Sequence, residues 1–371
     1  MSTQPKHLVV SERAAPATSA TPPARAKRFR LTGWTRLVWP LTALALILLF
    51  NYFFTPNFFA LQLRGGRLTG YLTDVLHNGS QVMLLALGMT LVIATGGIDL
   101  SVGAVMAISG AVAACLMARP DYSPLAAIDV GGQLWAVIAI ALLAALIAGL
   151  WNGTLVALVG VQPIVATLIL MVAGRGIAQL FTAGQNVDIR NRSFDLITAG
   201  NVLWLPFTVT LVAITALVAG ALTRRTGLGL FIEAVGNNPT ASRYAGINER
   251  LVKLAVYAFC GLCAGLAGLI EAANIRTAAS NVAGLYKELD AILAVSIGGT
   301  ALTGGRFSLI GSLIGALVIQ SLTTTILAHE VPRAVDLMIK AGVVILVCLL
   351  QSEAFRAVVR RVFRRATGDA P

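Results

Sequence analysis

Cys260 and Cys263 are the first candidates for chemistry in this chain of 371 residues, because they have the CxxC spacing of a redox pair. They lack the βαβ surroundings of that motif, and two small residues packed on a transmembrane helix are the simpler interpretation. The three histidines are far apart, and the sequence has no P-loop and no Ser/His/Asp grouping. The sequence therefore predicts no catalytic residue, no metal and no cofactor.

A polar group interrupts an apolar run where Gly96 and Gly97 are followed by Asp99 and Ser101. An Asp at the bilayer centre costs roughly 2.5–3.5 kcal/mol, so we expect Asp99 to face the protein interior, a cavity or the cytoplasmic interface. An acid and a hydroxyl also suit the free N–H groups at a helix start. Two interpretations stay open: a gate or pathway element, or a tight turn capped by Asp99.

A similar pattern recurs late in the chain, where Gly298 and Gly299 precede Thr303 at the spacing that separates Gly96 and Gly97 from Ser101. The match suggests an internal pseudo-repeat. The number of spans between the two segments would make the repeat parallel rather than inverted.

Residues 226–247 lie in a long loop with helix signals. A first short helix is predicted to end at Gly236. A second is predicted to start with Asn238 as its cap and Pro239 at its first position, and to end at Gly246. Two short helices would make a compact surface element, whereas the alternative is a solvated basic loop.

The composition indicates which elements position these residues. Hydrophobic residues make up 57% of the chain and charged residues only 12%, about half the charged share of a soluble protein. This predicts an all-α polytopic membrane protein in contact with lipid. A spanning helix needs roughly 20 apolar residues, which gives about ten spans, near residues 37–54, 79–95, 98–117, 133–159, 163–182, 202–222, 252–273, 288–303, 307–328 and 335–350.

The net charge of +12 fits either nucleic-acid binding or positively charged cytoplasmic loops. An even number of spans puts both termini on one side, and most of the 28 Lys and Arg residues then lie on that side. The positive-inside rule makes it the cytoplasm, which excludes nucleic acid as the expected partner. We therefore predict a basic cytoplasmic tail at 1–36, a transmembrane domain at 37–350 with a periplasmic loop at 183–201 and a cytoplasmic loop at 223–250, and a basic cytoplasmic tail at 351–371.

Four segments carry a resemblance to a known family: GMTLVIATGGIDLSVGAVMAISG, QPIVATLILMVAGRGIAQLFTAGQ, RTGLGLFIEAVGNNPTASRYAGIN and ELDAILAVSIGGTALTGG. Together they resemble the permease subunits of bacterial ABC sugar importers, in the ribose/branched-chain amino-acid permease family. The resemblance runs from about residue 37 to 350 and is strongest to the galactofuranose-type permeases. Ribose and xylose permeases share the first segment, so the family is better defined than the sugar.

The resemblance implies a type II ABC importer in the bacterial inner membrane, with a monosaccharide such as galactofuranose as its substrate. Its partners would be ATP-binding subunits, a periplasmic sugar-binding protein and a second permease subunit, either an identical copy or a paralogue. The family's halves are expected to be inverted, which conflicts with the parallel repeat. The chain itself would not be an enzyme. An ion-coupled secondary transporter of a small polar solute is the alternative.

The resemblance also assigns two groups of site residues. The loop at 226–247 matches the family's coupling element, and the residues expected to contact the ATPase are Glu233, Gly236, Asn237, Arg243 and Gly246. The residues expected near the translocation pathway are Gly96, Gly97, Asp99 and Ser101, together with Gly298 and Gly299 of the second segment.

Overall fold

The computed structural model describes residues 33–64, 67–131, 133–202, 204–330, 332, 335, 338–342, 345 and 349. The predicted C-terminal tail, residues 1–32 of the predicted N-terminal tail and half of the predicted tenth span lie outside the described residues. The helices are α1 (Gly33–Phe54), α2 (Tyr71–Ala94), α3 (Val102–Ala118), α4 (Leu134–Thr154), α5 (Pro163–Thr182), α6 (Arg192–Ala199), α7 (Phe207–Arg224), α8 (Leu228–Asn237), α9 (Pro239–Tyr244), α10 (Glu249–Ile275), α11 (Lys287–Ile297) and α12 (Leu309–Ala328).

Seven helices in the described part of the chain are long and apolar enough to cross a membrane: α1, α2, α4, α5, α7, α10 and α12. Two predicted spans, the third and the eighth, correspond to the shorter helices α3 and α11. The structure therefore confirms a multi-pass helical membrane protein, but it does not confirm the count of ten spans.

Several predicted span boundaries are wrong by at least four residues, including those of the eighth, second and sixth spans. The eighth span was predicted to reach residue 303, but α11 ends at Ile297, because Gly299 and Gly304 adopt positive φ angles of 83° and 88° that break the helix. The second was predicted to begin at residue 79, yet α2 starts eight residues earlier with a polar first turn. The sixth begins at Phe207 instead of residue 202, directly after Pro206.

Short strands also occur, which the all-α prediction missed. They are β1 (Gln62–Arg64), β2 (Arg67–Thr69), β3 (Val187–Asp188), β4 (Asn201–Val202), β5 (Leu205–Pro206) and β6 (Thr277–Ala278). They form three antiparallel pairs, β1–β2, β3–β6 and β4–β5. In the second pair Val187 lies opposite Ala278, so the chain that follows α5 is tied to the chain that follows α10.

The core lies where α10 packs against α2, α3 and α4. Glycines allow the close approach: a Cβ at Gly88 would lie 2.9 Å from the Cα of Cys260, and Gly149 packs in the same way against Gly261. Cys260 and Cys263 are buried free thiols in this contact. Their packing confirms the structural interpretation of the CxxC spacing.

The ends of α10 separate the two long polar loops. This helix has 27 residues, which corresponds to about 40 Å at 1.5 Å per residue. It begins shortly after α9 and ends just before β6, which pairs with β3. The loop at 223–250 and the loop at 183–201 therefore lie at opposite ends of the helix bundle.

Candidate functional site

Helices α8 and α9 form the predicted coupling element. The Asn238 side chain accepts a hydrogen bond from the N–H of Ala241 at 3.0 Å, and Pro239 occupies the first turn of α9. Gly246 has a φ angle of 82° and ends the element. The first helix continues through Gly236 to Asn237, slightly further than predicted, so Gly236 is part of the helix and not its stop signal.

Gly236 lies where α8 meets the end of α2. A methyl group at this position would overlap the carbonyl oxygen of Ala94, the last residue of α2. The same carbonyl accepts a hydrogen bond from the N–H of Gly305 at 2.8 Å. Three chain segments therefore touch through backbone atoms alone: α8, the end of α2, and the loop between α11 and α12.

Two more glycines complete this contact, which we call the glycine junction (Gly96, Gly236, Gly304 and Gly305). Cβ atoms built on Gly304 would lie 3.0 Å from both the carbonyl oxygen of Gly236 and the Cα of Gly96. A Cβ on Gly305 would lie 2.7 Å from Oδ1 of Asn237. The junction thus brings together Gly96, Gly236 and Asn237, which the sequence analysis assigned to two separate groups.

Asp99 and Ser101 lie in the protein interior, in the turn between α2 and α3. Asp99 is 1% exposed, and its Oδ1 accepts hydrogen bonds from the Ser101 N–H at 2.9 Å, the Ser101 hydroxyl at 2.6 Å and Nδ2 of Asn152 at 3.3 Å. Asn152 also donates to the Ser101 hydroxyl at 2.8 Å. Asp99 thus caps the turn before α3 and ties it to α4. A role along a pathway stays a prediction.

Gly97 faces α10, which adds Tyr257 to the polar cluster of Asp99, Ser101 and Asn152. A Cβ at Gly97 would lie 2.6 Å from the hydroxyl of Tyr257, a fully buried residue of α10. Within the described residues the Tyr257 hydroxyl and Oδ1 of Asn152 are buried without a hydrogen-bond partner. Tyr257 and Asn152 were missed by the sequence analysis, because a single polar residue inside an apolar span carries no spacing signal.

Gly298 and Gly299 lie in the loop after α11. A Cβ on Gly298 would lie 2.5 Å from the carbonyl carbon of Gly311, so α11 ends against the first turn of α12. The same loop approaches Gly96, whose Cβ would lie 4.0 Å from the carbonyl oxygen of Thr303. The two segments that resemble each other in sequence are therefore neighbours at one end of the bundle.

Three large apolar or aromatic side chains are exposed on the outer surface of α8 and α9. Leu230 is 70% exposed and Tyr244 is 88% exposed, with Phe231 also exposed. Arg243 forms an ion pair with Glu249 of α10, and Glu233 is half-buried. Leu230, Phe231 and Tyr244 were not among the predicted contact residues, although apolar residues in a polar loop are a signal for a docking surface.

The opposite end of the bundle carries a charged cleft of about 410 Å³. Arg276 forms an ion pair with Asp195 at 3.1 Å, and the Thr277 hydroxyl donates to Asp188 at 2.9 Å. These contacts fix α6 and the rest of the loop at 183–201 against the end of α10. The cleft is a polar surface on the side of the bundle away from the glycine junction.

Comparison of the sequence with known proteins assigns the chain to a family. The family model for the permease component of the branched-chain amino acid transport system matches residues 71–348. The galactofuranose transporter permease of Escherichia coli K12 is 48% identical over 91% of this chain and 95% of its own length. The fructose import permease of Bifidobacterium longum is 38% identical over 86% of this chain and 88% of its own length. The ribose import permease of Escherichia coli K12 is 35% identical over 88% of this chain and 97% of its own length.

No solved structure matches the chain. The family model covers more than half of the chain, and the relatives match it over nearly their whole lengths. The chain therefore belongs to the family of permease components of the branched-chain amino acid transport system.

Proposed function

We propose that the chain is the membrane-spanning subunit of an ATP-driven importer that moves a monosaccharide across the bacterial inner membrane. The observation that carries this proposal is the pair α8–α9, which exposes Leu230 and Tyr244 and reaches the loops between spans through the glycine junction. Among the relatives, the protein with 48% identity is a galactofuranose permease. Galactofuranose is therefore the first sugar to test, with fructose and ribose as the next candidates.

The proposed mechanism uses the α8–α9 pair as the contact with separate ATP-binding subunits. Closure of those subunits would push on the exposed face of α8 and α9. Because Gly236 touches Ala94 and lies beside Gly305 through backbone atoms, a displacement of α8 would pass to the end of α2 and to the loop before α12. Packed elements of this kind shift between discrete arrangements, here outward and inward access.

The other partners follow from the two ends of the bundle. With the α8–α9 pair in the cytoplasm, both chain termini are cytoplasmic and the loop at 183–201 is periplasmic. The charged cleft around Asp188, Asp195 and Arg276 would then face a periplasmic sugar-binding protein. A second permease subunit, identical or paralogous, would complete the path.

Sugar uptake in membrane vesicles tests the proposed function. The chain is produced with its ATP-binding and sugar-binding partners, and labelled galactofuranose uptake is measured with ATP, without ATP and with an uncoupler. Uptake that needs ATP and the ATP-binding subunit supports the proposal. Uptake that continues without the ATP-binding subunit and collapses with the uncoupler would show an ion-coupled carrier instead.

Tyr244→Ala is expected to weaken the binding of the ATP-binding subunits. An exposed tyrosine at the centre of an interface is a common hot spot, and its truncation costs about 2 kcal/mol or more, which is roughly a thirtyfold loss of affinity. Co-purification of the two subunits measures this effect. Tyr122→Ala is the matched control, because Tyr122 is also exposed but lies in the loop between α3 and α4. Equal co-purification of both variants would remove Tyr244 from the docking surface.

Glu233→Ala is expected to separate ATP hydrolysis from transport. Glu233 lies on α8 one turn before Asn237, whose Nδ2 donates to the Glu233 carbonyl at 2.9 Å, so its loss leaves the helix in place and removes one charge from its surface. We expect ATPase activity to persist while uptake falls several-fold. Unchanged uptake would remove Glu233 from the coupling residues.

A further inference from the structure

Helix α11 is too short to cross the membrane. Its 11 residues correspond to about 16 Å, roughly half of the ~30 Å hydrocarbon core. The neighbouring α12 has 20 residues, enough for the full distance. Because α11 ends at the glycine-rich loop beside the junction, the missing half of the crossing lies at its start. Residues 276–286 connect the far end of α10 to α11, and they contain only the two-residue strand β6 and turns.

The inner side of this connection is held by polar groups of α5. Arg175 donates through Nη1 to the carbonyl oxygens of Ser280, Asn281 and Ala283 at 3.4, 3.2 and 3.1 Å. Gln179, one turn further along α5, donates to Oδ1 of Asn281 at 2.8 Å. The side chain of Arg175 thus holds a non-helical backbone in place.

The connection also reaches deep into the bundle. Gly284 donates its N–H to the carboxylate of Glu271 on α10 at 3.1 Å. The backbone of Gly284 lies against Gly103, the second residue of α3, and side chains at either position would overlap the other backbone. Since the 11 residues of α11, about 16 Å, separate Gly284 from the glycine-rich loop beside the junction, Gly284 lies between the two ends of the bundle.

Several side chains on the other side of the connection are exposed among the described residues of the single subunit. Val282 is 60% exposed and Tyr286 is 48% exposed, and Asn281 and Leu285 are also exposed. Non-helical backbone at membrane depth is stable only when it is buried in protein or borders water, because lipid cannot satisfy its polar groups. Lipid is therefore excluded as the neighbour of this surface.

We propose that residues 279–286 form the wall of the water-filled path by which the sugar crosses the membrane. This inference rests on the proposed function and extends it to a specific face of the subunit. The Asn281 amide and the Tyr286 hydroxyl offer hydrogen bonds to sugar hydroxyls, and Val282 and Leu285 offer apolar contact to a ring. Because the wall lies on the outside of the subunit, the second permease subunit closes the path from the other side.

Cysteine labelling in the complete importer tests the wall. Val282→Cys and Tyr286→Cys are treated in membrane vesicles with a charged methanethiosulfonate, which reacts with thiolates in water. Leu46→Cys is the control, because Leu46 is 65% exposed on α1, the most exposed of the spanning helices. The native Cys115, Cys260 and Cys263 are buried, and the unsubstituted chain measures the remaining background.

We expect both wall positions to react about 100-fold faster than residue 46, where the thiol stays protonated in lipid. Modification of the wall should also lower sugar uptake at least about fivefold, and saturating sugar should slow the modification. Reaction as slow as that of Leu46→Cys would overturn the proposal. Fast reaction with unchanged uptake would overturn it as well, since the positions would then border a water-filled crevice outside the path. If the unsubstituted importer shows no ATP-dependent uptake, the proposed function fails. The labelling rates still test whether the wall positions face water, so the two failures can be distinguished.

Discussion

Replacing Gly236 by alanine should lower sugar uptake by the complete importer by about tenfold or more. The added methyl group would overlap the carbonyl oxygen of Ala94 and come close to the N–H of Gly305. Both obstacles are backbone atoms, so no side chain can rotate away. Overpacking of this kind costs about 1–3 kcal/mol, and α8 must move away from α2 to relieve it. Initial uptake rates in vesicles measure the effect, with ATPase activity measured in parallel.

Gly220→Ala is the matched control for this substitution. Gly220 lies on α7, the helix that leads into α8, and a Cβ there meets no other atom within 4 Å. Uptake by this variant should stay within about twofold of the original, since Ala also favours helix more than Gly. Near-normal uptake by Gly236→Ala, at equal amounts in the membrane, would show that the glycine junction does not transmit motion.

Asp99→Ala should produce the largest loss of stability among the residues of the polar cluster. Three donated hydrogen bonds end on Oδ1 of Asp99, two from Ser101 and one from Asn152. Each buried donor left without an acceptor costs about 1–3 kcal/mol, and the remaining Asn152–Ser101 bond offsets part of this. We expect a loss of about 3 kcal/mol, measured as a lower Tm of the purified protein. Asp99→Asn keeps one acceptor oxygen and should lose less.

Asp129→Ala is the control for the loss of an acid. Asp129 is exposed in the loop before α4, where the hydrogen bond from the Gly131 N–H, followed by the charge of Arg119, holds its pKa below the usual value. Exposed ion pairs contribute little to stability, so no measurable change in Tm is expected. If Asp99→Ala and Asp129→Ala had the same Tm, Asp99 would not tie the turn before α3 to α4.

The sequence was sufficient for the features that depend on local patterns. Apolar runs located the spans, and Asn238 with Pro239 located the start of α9, because capping is a contact between neighbouring residues. The bounds of α5 were also correct, since Pro163 begins it and Gly184 follows its end. These features need no information about the rest of the chain.

Features that depend on distant contacts could not be predicted in this way. The glycine junction joins Gly96, Gly236 and Gly304 from three separate segments, and only their packing shows that they touch. The end of α11 was predicted too late because residues 298–303 carry no charge that would mark the end of a span. The link from Asp99 to Asn152 was missed because the turn before α3 and helix α4 are far apart in the sequence, and only packing brings the two residues together.

Because α10 is long, a rotation at one end of this helix produces a larger displacement at its other end. One end of this helix adjoins α9, and the other adjoins β6 and the non-helical connection. For a rigid rod of about 40 Å, a rotation of about 5° at one end displaces the other by roughly 3.5 Å. That distance exceeds the diameter of a water molecule. If α8 and α9 bind ATP-binding subunits as proposed, a small rotation of α10 beside them would be amplified into a larger displacement at the opposite end of the bundle.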